Sequence, residues 1–307
     1  MWHYEGVFPI FSGHRSSFVN TAKIALQFWR RHELQTRIPR GGWRVEKTLR
    51  NMAGRASIQI EGYRRLVIDL RIENHEVNDL LDHDPMNAIP YEPHIQAFCR
   101  RFLKPGYVVY DIGANLGLHT ILFEKLCSPD GRVYAFEPNP GLLSSLQETF
   151  AHSTIVKVFG HALGNENTVS NLFIPEDHAQ ASLGNWKGNA KAIPCHIKRI
   201  DDLVSAGELP PPDFIKVDVE GAEFLVLGGA EQTLRRHRPI VVFEELKKAE
   251  QTLGLESGSA VQMLEKLPGY RMVLTPRQGS IIPIPAERPD WCELAAIPEE
   301  RWTGDQI

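Results

Sequence analysis

The sequence predicts an α/β protein with a mostly parallel β-sheet and helices on both of its faces. Short apolar segments alternate with amphipathic ones between residues 107 and 244. A glycine-rich turn follows the first apolar segment, and acidic residues follow several of the others. Strands and helices that alternate at these lengths are typical of βαβ units, which place their strands side by side in one parallel sheet.

Length and composition fit a large globular domain with an appendage. The chain has 307 residues, of which 42% are hydrophobic and 23% charged, so it can bury a sizeable core. Its net charge of −4 is too small to predict a nucleic-acid partner. We predict an N-terminal appendage over residues 1–87 and a ligand-binding domain over residues 88–307.

The appendage combines a basic arm with a β-hairpin. Lys and Arg outnumber Asp and Glu in residues 1–50, and apolar residues recur at helical spacing in residues 17–33. Residues 1–55 are therefore a candidate contact for a homo-oligomer, although a solvated helix face explains the same pattern. Apolar and polar residues alternate on both sides of Gly62 in residues 56–72, which predicts the hairpin.

The cysteines and the apolar segments predict a cytoplasmic protein. The four cysteines form no CxxC pair and no zinc-binding pattern, so we expect buried, reduced thiols. No apolar run approaches the length of a membrane span, and the N-terminus lacks the pattern of a secretory signal.

The main domain can be followed element by element. We predict a helix over residues 92–103, ended by Pro105-Gly106, and another over 222–236. Residues 161–200 break the alternation and are read as an insertion with one or two strands. The remaining predicted strands cover 107–112, 132–136, 155–159, 213–219, 239–244, 272–275, 281–284 and 294–297, and the remaining helices 118–126, 142–150 and 260–267.

The glycine-rich turn reads Asp111-Ile112-Gly113-Ala114-Asn115-Leu116-Gly117. Glycine lets the backbone turn sharply and approach a ligand, and the next helix offers free N–H groups. A dinucleotide site prefers G-x-G-x-x-G, whereas here Asp111 precedes the turn. That carboxylate would repel a pyrophosphate and suit S-adenosylmethionine, which is positively charged and has no phosphate. Such a turn can also be purely structural.

The next strand ends in Glu137-Pro138. An acid at this position can accept hydrogen bonds from both hydroxyls of a ribose, and the proline fixes it at the carboxyl edge of the sheet. The alternative is a solvated glutamate at a strand end.

Three ionisable residues, Lys216, Asp218 and Glu220, lie in a further apolar strand. Alternate residues of a strand point the same way, so these side chains would converge and supply a catalytic base. An internal ion pair of Lys216 with Glu220 is the structural alternative. His161 is a third candidate base, although a single histidine is often incidental.

Asp218, Glu244 and Glu245 are candidate ligands for Mg²⁺, which takes oxygen ligands. Glu244 and Glu245 follow the strand beside the one that contains Asp218. Strand-end acids are more often only solvated, and we favour that interpretation of these three residues over a metal site.

Together the segments resemble the FkbM family of methyltransferases over about residues 88–300. The resemblance rests on YVVYDIGANLGLHT (107–120), RVYAFEPNP (132–140), HALGN (161–165), IDDL (200–203), FIKVDVEGAEFLVLGGAEQTL (214–234) and RPIVVFEEL (238–246). One departure is His119 ahead of Thr120, where the family tends to carry an aromatic residue.

The resemblance implies a Rossmann-like, seven-stranded class I methyltransferase sheet with one antiparallel strand, and O-methylation of a sugar or natural-product hydroxyl. Asp218 and Glu220 fall where the family has its acidic cleft residues. Residues 1–55 lie outside the family's common core. The cofactor residues implied are Asp111, Gly113, Ala114, Asn115, Gly117, Glu137, Pro138, Ala162 and Asp218.

Two other functional classes stay open at the level of the sequence. One is an NAD-linked sugar oxidoreductase or epimerase, which the turn before Gly117 disfavours. The other is a non-catalytic binding module on a methyltransferase fold, which the intact Asp111 and Glu137 disfavour.

Overall fold

The computed structural model describes residues 48–52, 54–58, 60, 62–82, 91–275, 281–285 and 287–302. The helix predicted over residues 17–33 lies outside them, as does most of the proposed oligomer contact. The chain divides into two compact units, one within residues 1–56 and 69–71 and the other formed by 57–68 and 72–307. No helix among the described residues has the length and apolar character needed to cross a bilayer.

The second unit is built around an eight-stranded sheet. Its strands are β3 (Val108–Ile112), β4 (Arg132–Phe136), β5 (Val156–Phe159), β9 (Phe214–Val217), β10 (Ile240–Leu246), β11 (Tyr270–Leu274), β12 (Ile282–Pro283) and β13 (Trp291–Pro298). They lie in the order β12-β11-β13-β10-β9-β3-β4-β5. Strands β5, β4, β3, β9 and β10 are parallel, and β13 is antiparallel to both of its neighbours.

This topology is a Rossmann-like α/β sheet, as predicted, with one strand more than expected. The additional strand is β12, a two-residue segment that pairs with the edge of β11 through Val273 and Leu274. The sequence predicts this strand over residues 281–284, so the sheet exceeds only the seven strands that the family resemblance implies.

Helices cover both faces of the sheet. Leu234 and Leu264 pack on the face that carries Tyr110 and Ile112. On the other face, aromatic residues of two helices contact Phe214. The helices are α1 (His75–Asp82), α2 (Pro93–Phe102), α3 (Leu118–Cys127), α4 (Pro140–Phe150), α5 (Ile200–Ser205), α6 (Glu223–Gly228), α7 (Glu231–His237), α8 (Lys247–Thr252) and α9 (Ser259–Glu265).

The insertion forms a separate three-stranded sheet with its own small core. It contains β6 (Ala162–Leu163), β7 (Thr168–Ile174) and β8 (Lys191–Lys198) in the order β6-β8-β7. Leu172, Cys195 and Ile197 are buried between its strands. The insertion therefore contributes three strands rather than the predicted one or two.

The N-terminal hairpin has the predicted form, because β1 (Arg55–Ile58) and β2 (Leu66–Asp69) make a two-stranded sheet around Gly62. The four cysteines are buried and free, as expected.

The prediction of a single helix over residues 222–236 is wrong in one respect, because the structure has two shorter helices there, α6 and α7. A Cβ at Gly229 would lie 1.9 Å from the carbonyl oxygen of Gly164, so the chain at this point packs directly on another backbone. The backbone N–H of Asp201 donates to the Gly229 carbonyl, at 2.8 Å. The break is thus fixed by tertiary contacts that helical periodicity does not reveal.

Asp201 also caps α7. Its buried carboxylate accepts hydrogen bonds from the backbone N–H groups of Gln232 and Thr233 and from the Thr233 hydroxyl. These N–H groups belong to the first turn of the helix and have no partner within it. The first aspartate of the IDDL segment is therefore structural.

We expect Asp201→Ala to lower the free energy of unfolding by about 1–3 kcal/mol, because it removes a cap and leaves buried donors without partners. Asp202→Ala is the matched control, since Asp202 is exposed and should change stability by no more than about 0.5 kcal/mol. Urea denaturation of both variants measures the difference. Equal effects of the two substitutions would contradict the capping role.

Candidate active site

A cavity of about 610 Å³ opens at the carboxyl edge of the parallel strands. Its floor comes from the ends of β3, β4, β9 and β10, and its walls from the start of α1, the residues before α2 and the insertion. Open α/β sheets bind their ligands at this edge, where side chains from several strands converge. The cavity is therefore the candidate active site.

The glycine-rich turn lies at one end of this cavity. Gly113 has φ +82°, and a Cβ at this position would lie 1.7 Å from the carbonyl oxygen of Asp218. The N–H groups of Gly113 and Ala114 both donate to the Phe136 carbonyl, at 3.0 Å. The turn is thus held between the ends of β4 and β9, with its backbone facing the cavity.

Glu137 lies beside the turn and is almost fully buried. One carboxylate oxygen accepts the N–H of Asn115 and the other the N–H of Asn139, both at 2.8 Å. Burial raises the pKa of Glu137 to about 7, although these backbone hydrogen bonds oppose the shift. Each oxygen of an ionised carboxylate has two lone pairs, so both can still accept a ligand hydroxyl.

The side chain of Asn115 is held by two residues at the start of α1. The Asn74 amide donates to Asn115 Oδ1 at 2.8 Å, and the Asn115 amide donates to Glu76 Oε1 at 2.6 Å. Asn115 has φ +51°, a conformation that asparagine tolerates better than most residues. These contacts hold the glycine-rich turn in a single conformation.

An ion pair links buried Lys216 to Asp218 on the cavity floor. Lys216 Nζ donates to Asp218 Oδ2 at 2.8 Å, and Lys216 pairs in register with Asp111 of β3. Burial lowers the pKa of Lys216, but the negative charges of Asp218 and Glu92 outweigh this effect and raise it. Lys216 is therefore a cation, and its partner is Asp218 rather than Glu220.

Three carboxylates converge beyond this pair. Asp218, Glu220 and Glu244 each place one oxygen within 4.8 Å of the others. Glu220 adopts φ +56° in the turn after β9, so it leaves the strand pattern on which the prediction relied. Trp291 Nε1 donates to Glu244 Oε1. Burial, and then the negative charge of Asp218, raise the pKa of both glutamates.

The opposite wall carries histidine–carboxylate pairs. His75 Nδ1 lies 3.0 Å from Asp177 Oδ2, and the backbone N–H of His75 donates to the other carboxylate oxygen. His119 Nε2 lies 2.8 Å from Glu92 Oε2. His94 bonds to Glu293 of β13.

The contacts of Glu92 lower the pKa of its carboxyl group. Burial raises the pKa of Glu92, but the hydrogen bond from His119 and the charge of Lys216 outweigh that effect, and the pKa falls to about 2.

The Methyltransferase FkbM domain profile matches residues 111–272, which is more than half of the chain and includes every strand end of the cavity floor. The chain belongs to the FkbM methyltransferase family.

Similar proteins include a hexuronic acid methyltransferase and a 2-O-methyltransferase. The hexuronic acid methyltransferase AglP of Haloferax volcanii is 34% identical over 139 residues, covering 44% of this chain and 54% of that protein. The 2-O-methyltransferase NoeI of Sinorhizobium fredii is 25% identical over 187 residues, covering 55% and 74%. The chain thus spans about half the length of one relative and three quarters of the other.

A crystal structure of methyltransferase FkbM from Methylobacillus flagellatus is also similar. It is 16% identical, with a TM-score of 0.40, over 90% of this chain and 58% of that one.

The cavity of this FkbM domain brings together most of the residues selected from the sequence. Gly113, Asn115, Glu137, Pro138, Ala162, Asp218, Glu220 and Glu244 all line it. Their individual roles stay predictions.

Five other selected residues do not line the cavity. Asp111 is buried behind the turn and accepts a hydrogen bond from the Thr120 hydroxyl, so it supports the turn from outside the cavity lining. Gly117 starts α3 and packs against α4, where a Cβ would lie 2.5 Å from Leu146. Ala114 is buried within the turn and contributes its N–H to it. His161 and Glu245 are the two others.

His161 packs its ring edge-on against Phe136 and Phe159, with centroids 5.6 Å away in both cases. Burial, and then the charges of Lys198 and His196, lower its pKa to about 4. Its position outside the cavity lining argues against its selection as a base.

Glu245 points away from the cavity and bonds to Arg288 at 2.7 and 3.0 Å. Adjacent residues of a strand face opposite sides of the sheet, so Glu244 and Glu245 cannot both join one cluster. Glu220 takes the third position instead.

Several cavity residues escaped the sequence analysis, among them His75, Glu76, Glu92 and Trp291, and so did Asn74, which bonds to Asn115. Asn74, His75 and Glu76 lie around the start of α1, a short helix that we did not predict from the sequence. All three residues are polar and at least partly buried in the structure. Burial of consecutive polar residues cannot be read from a single sequence.

Glu76 should make the stability of the protein fall with pH. Burial raises its pKa from 4.5 to about 8. The unfolded chain therefore releases this proton at lower pH than the folded chain, so the contribution is complete below about pH 4.5 and lost as pH rises towards 8. We expect Glu76→Gln to lose fewer degrees of Tm between pH 5 and pH 8 than the parent protein. Thermal unfolding at both pH values measures this, and equal losses would refute the assignment.

Proposed function

We propose that this protein is an S-adenosylmethionine-dependent O-methyltransferase that methylates a hydroxyl of a small sugar or natural product. The proposal rests on one observation. The Gly113 turn and the Glu137 carboxyl both line the same cavity of an FkbM methyltransferase domain. The names of the relatives, a hexuronic acid methyltransferase and a 2-O-methyltransferase, support a sugar hydroxyl as the acceptor.

The cavity lining suits this cofactor. Glu137 would hold the two ribose hydroxyls, and the Gly113 turn would face the amino acid end of the cofactor. Among the described residues that line the cavity there are six carboxyl groups and neither Lys nor Arg. Such a lining favours a cofactor with a sulfonium and an ammonium group, and it disfavours the pyrophosphate of NAD.

Bound S-adenosylmethionine supplies an electrophilic methyl group. The protein's contribution is to hold the acceptor hydroxyl in line with it and to remove the hydroxyl proton as the new bond forms. Trp186 and residues 178–183 of the insertion face the same cavity and would form the acceptor wall.

His75 is the proposed general base. It lines the cavity, and Asp177 holds its Nδ1 at 3.0 Å. A carboxylate in this position fixes the tautomer that carries the proton on Nδ1, so that Nε2 is the basic atom, and it stabilises the imidazolium that forms. Asp218 is less suited to this role, since one of its carboxylate oxygens is already bonded to Lys216.

Calorimetry with S-adenosylhomocysteine tests the cofactor assignment. The parent protein should bind it, and Glu137→Gln should weaken binding at least about tenfold, since one acceptor oxygen becomes a donor group. Glu166→Gln is the control, because Glu166 is exposed and lies outside the cavity lining. Absence of binding to the parent protein would refute the assignment.

Kinetics of His75 and Asp177 variants test the base. His75→Gln should lower kcat by about 10²- to 10⁴-fold, and Asp177→Asn by less, with little change in affinity for S-adenosylhomocysteine. Methyl transfer to a panel of sugars and glycosides provides the assay, and His152→Gln, at an exposed position, is the control. Unchanged kcat in His75→Gln would assign proton removal to another group.

A further inference from the structure

We propose that Asp218, Glu220 and Glu244 bind a divalent metal ion of the Mg²⁺ or Mn²⁺ class at the inner end of the cavity. The catalytic use of this ion rests on the proposed methyl transfer, but its binding does not.

The geometry of the three side chains fits one ion. Each offers a carboxylate oxygen, and the three oxygens lie within 4.8 Å of one another. Ligands on opposite sides of Mg²⁺ are about 4.2 Å apart, and those around Ca²⁺ about 4.6–5.2 Å, so three oxygens at this spacing can reach one ion with small side-chain movements. Water and a ligand oxygen would complete the coordination.

An unsatisfied oxygen points to the same place. Trp291 holds Glu244 Oε1, whereas Glu244 Oε2 is buried and has no hydrogen-bond partner among the described residues. A buried carboxylate oxygen without a donor is costly, and a cation is the natural partner for it.

The protein itself supplies too little positive charge at this point. Lys216 Nζ is bonded to Asp218 Oδ2, and no Lys or Arg belongs to the cavity lining within the described ranges. Glu220 and Glu244 are therefore left without a fixed cationic partner beside a third carboxylate. Like charges at this distance are unfavourable unless they are protonated or share a cation.

An ion here would lie in the cavity that also contains the Gly113 turn and His75. It would bind the acceptor hydroxyl directly and lower the pKa of that hydroxyl, and His75 would then take the released proton. An acceptor with two adjacent hydroxyls could coordinate the ion through both oxygens.

Calorimetric titration with Mn²⁺ in the absence of cofactor tests the site. The parent protein should bind Mn²⁺ saturably at one site, and Glu244→Gln and Glu220→Gln should each weaken binding at least tenfold. Glu166→Gln should bind as the parent does. Thermal unfolding shows whether each variant folds. If Glu244→Gln does not fold, Glu220→Gln still tests the site, because Glu220 lies in a turn outside the strands. Absence of saturable binding, or equal binding in the folded variants, overturns the proposal.

A parallel titration with S-adenosylhomocysteine separates the two proposals. Cofactor binding without Mn²⁺ binding refutes the metal site and leaves the methyltransferase function standing. Mn²⁺ binding that the glutamate variants weaken, without cofactor binding, supports the site and refutes the function.

Discussion

The contact between the Gly113 turn and the end of β9 determines the rest of the active site. The carbonyl oxygen of Asp218 occupies the space that a side chain at position 113 would need. This contact brings the end of β3 against the end of β9, so the glycine-rich turn and the acidic strand end form a single surface. Because the pairing is between backbones, no side-chain change elsewhere can replace the glycine.

Burial of negative charge is the second constraint, and the protein meets it in three ways. Backbone N–H groups bind Glu137, a buried lysine pairs with Asp218, and His119 pairs with Glu92. Each arrangement offsets the loss of hydration for one carboxylate. Glu220 and Glu244 have no comparable fixed cation among the described residues. We therefore expect the ligands of this cavity to carry positive charge.

The sequence predicts the sheet, the helices that follow its strands and the turn at Gly113, because these depend on local periodicity and on glycine. It predicts less where distant segments meet. The clamp on Asn115 comes from residues 74–76, about forty positions away in the chain, so no local pattern reports it. Glu244 and Glu245 look equivalent in the sequence, and only strand alternation separates the cavity residue from the one that binds Arg288. His161 is a chemically plausible base that two phenylalanine rings hold outside the cavity lining.

The three-stranded sheet of the insertion has a consequence for how enzymes of this type diversify. Leu172, Cys195 and Ile197 form its own small core, and the segment between β7 and β8 lines the cavity. Mutations in that segment can reshape one side of the cavity while the Gly113 turn and Glu137, which lie on other elements, stay as they are. Evolution can thus change this side of the cavity without altering the side that carries the glycine-rich turn.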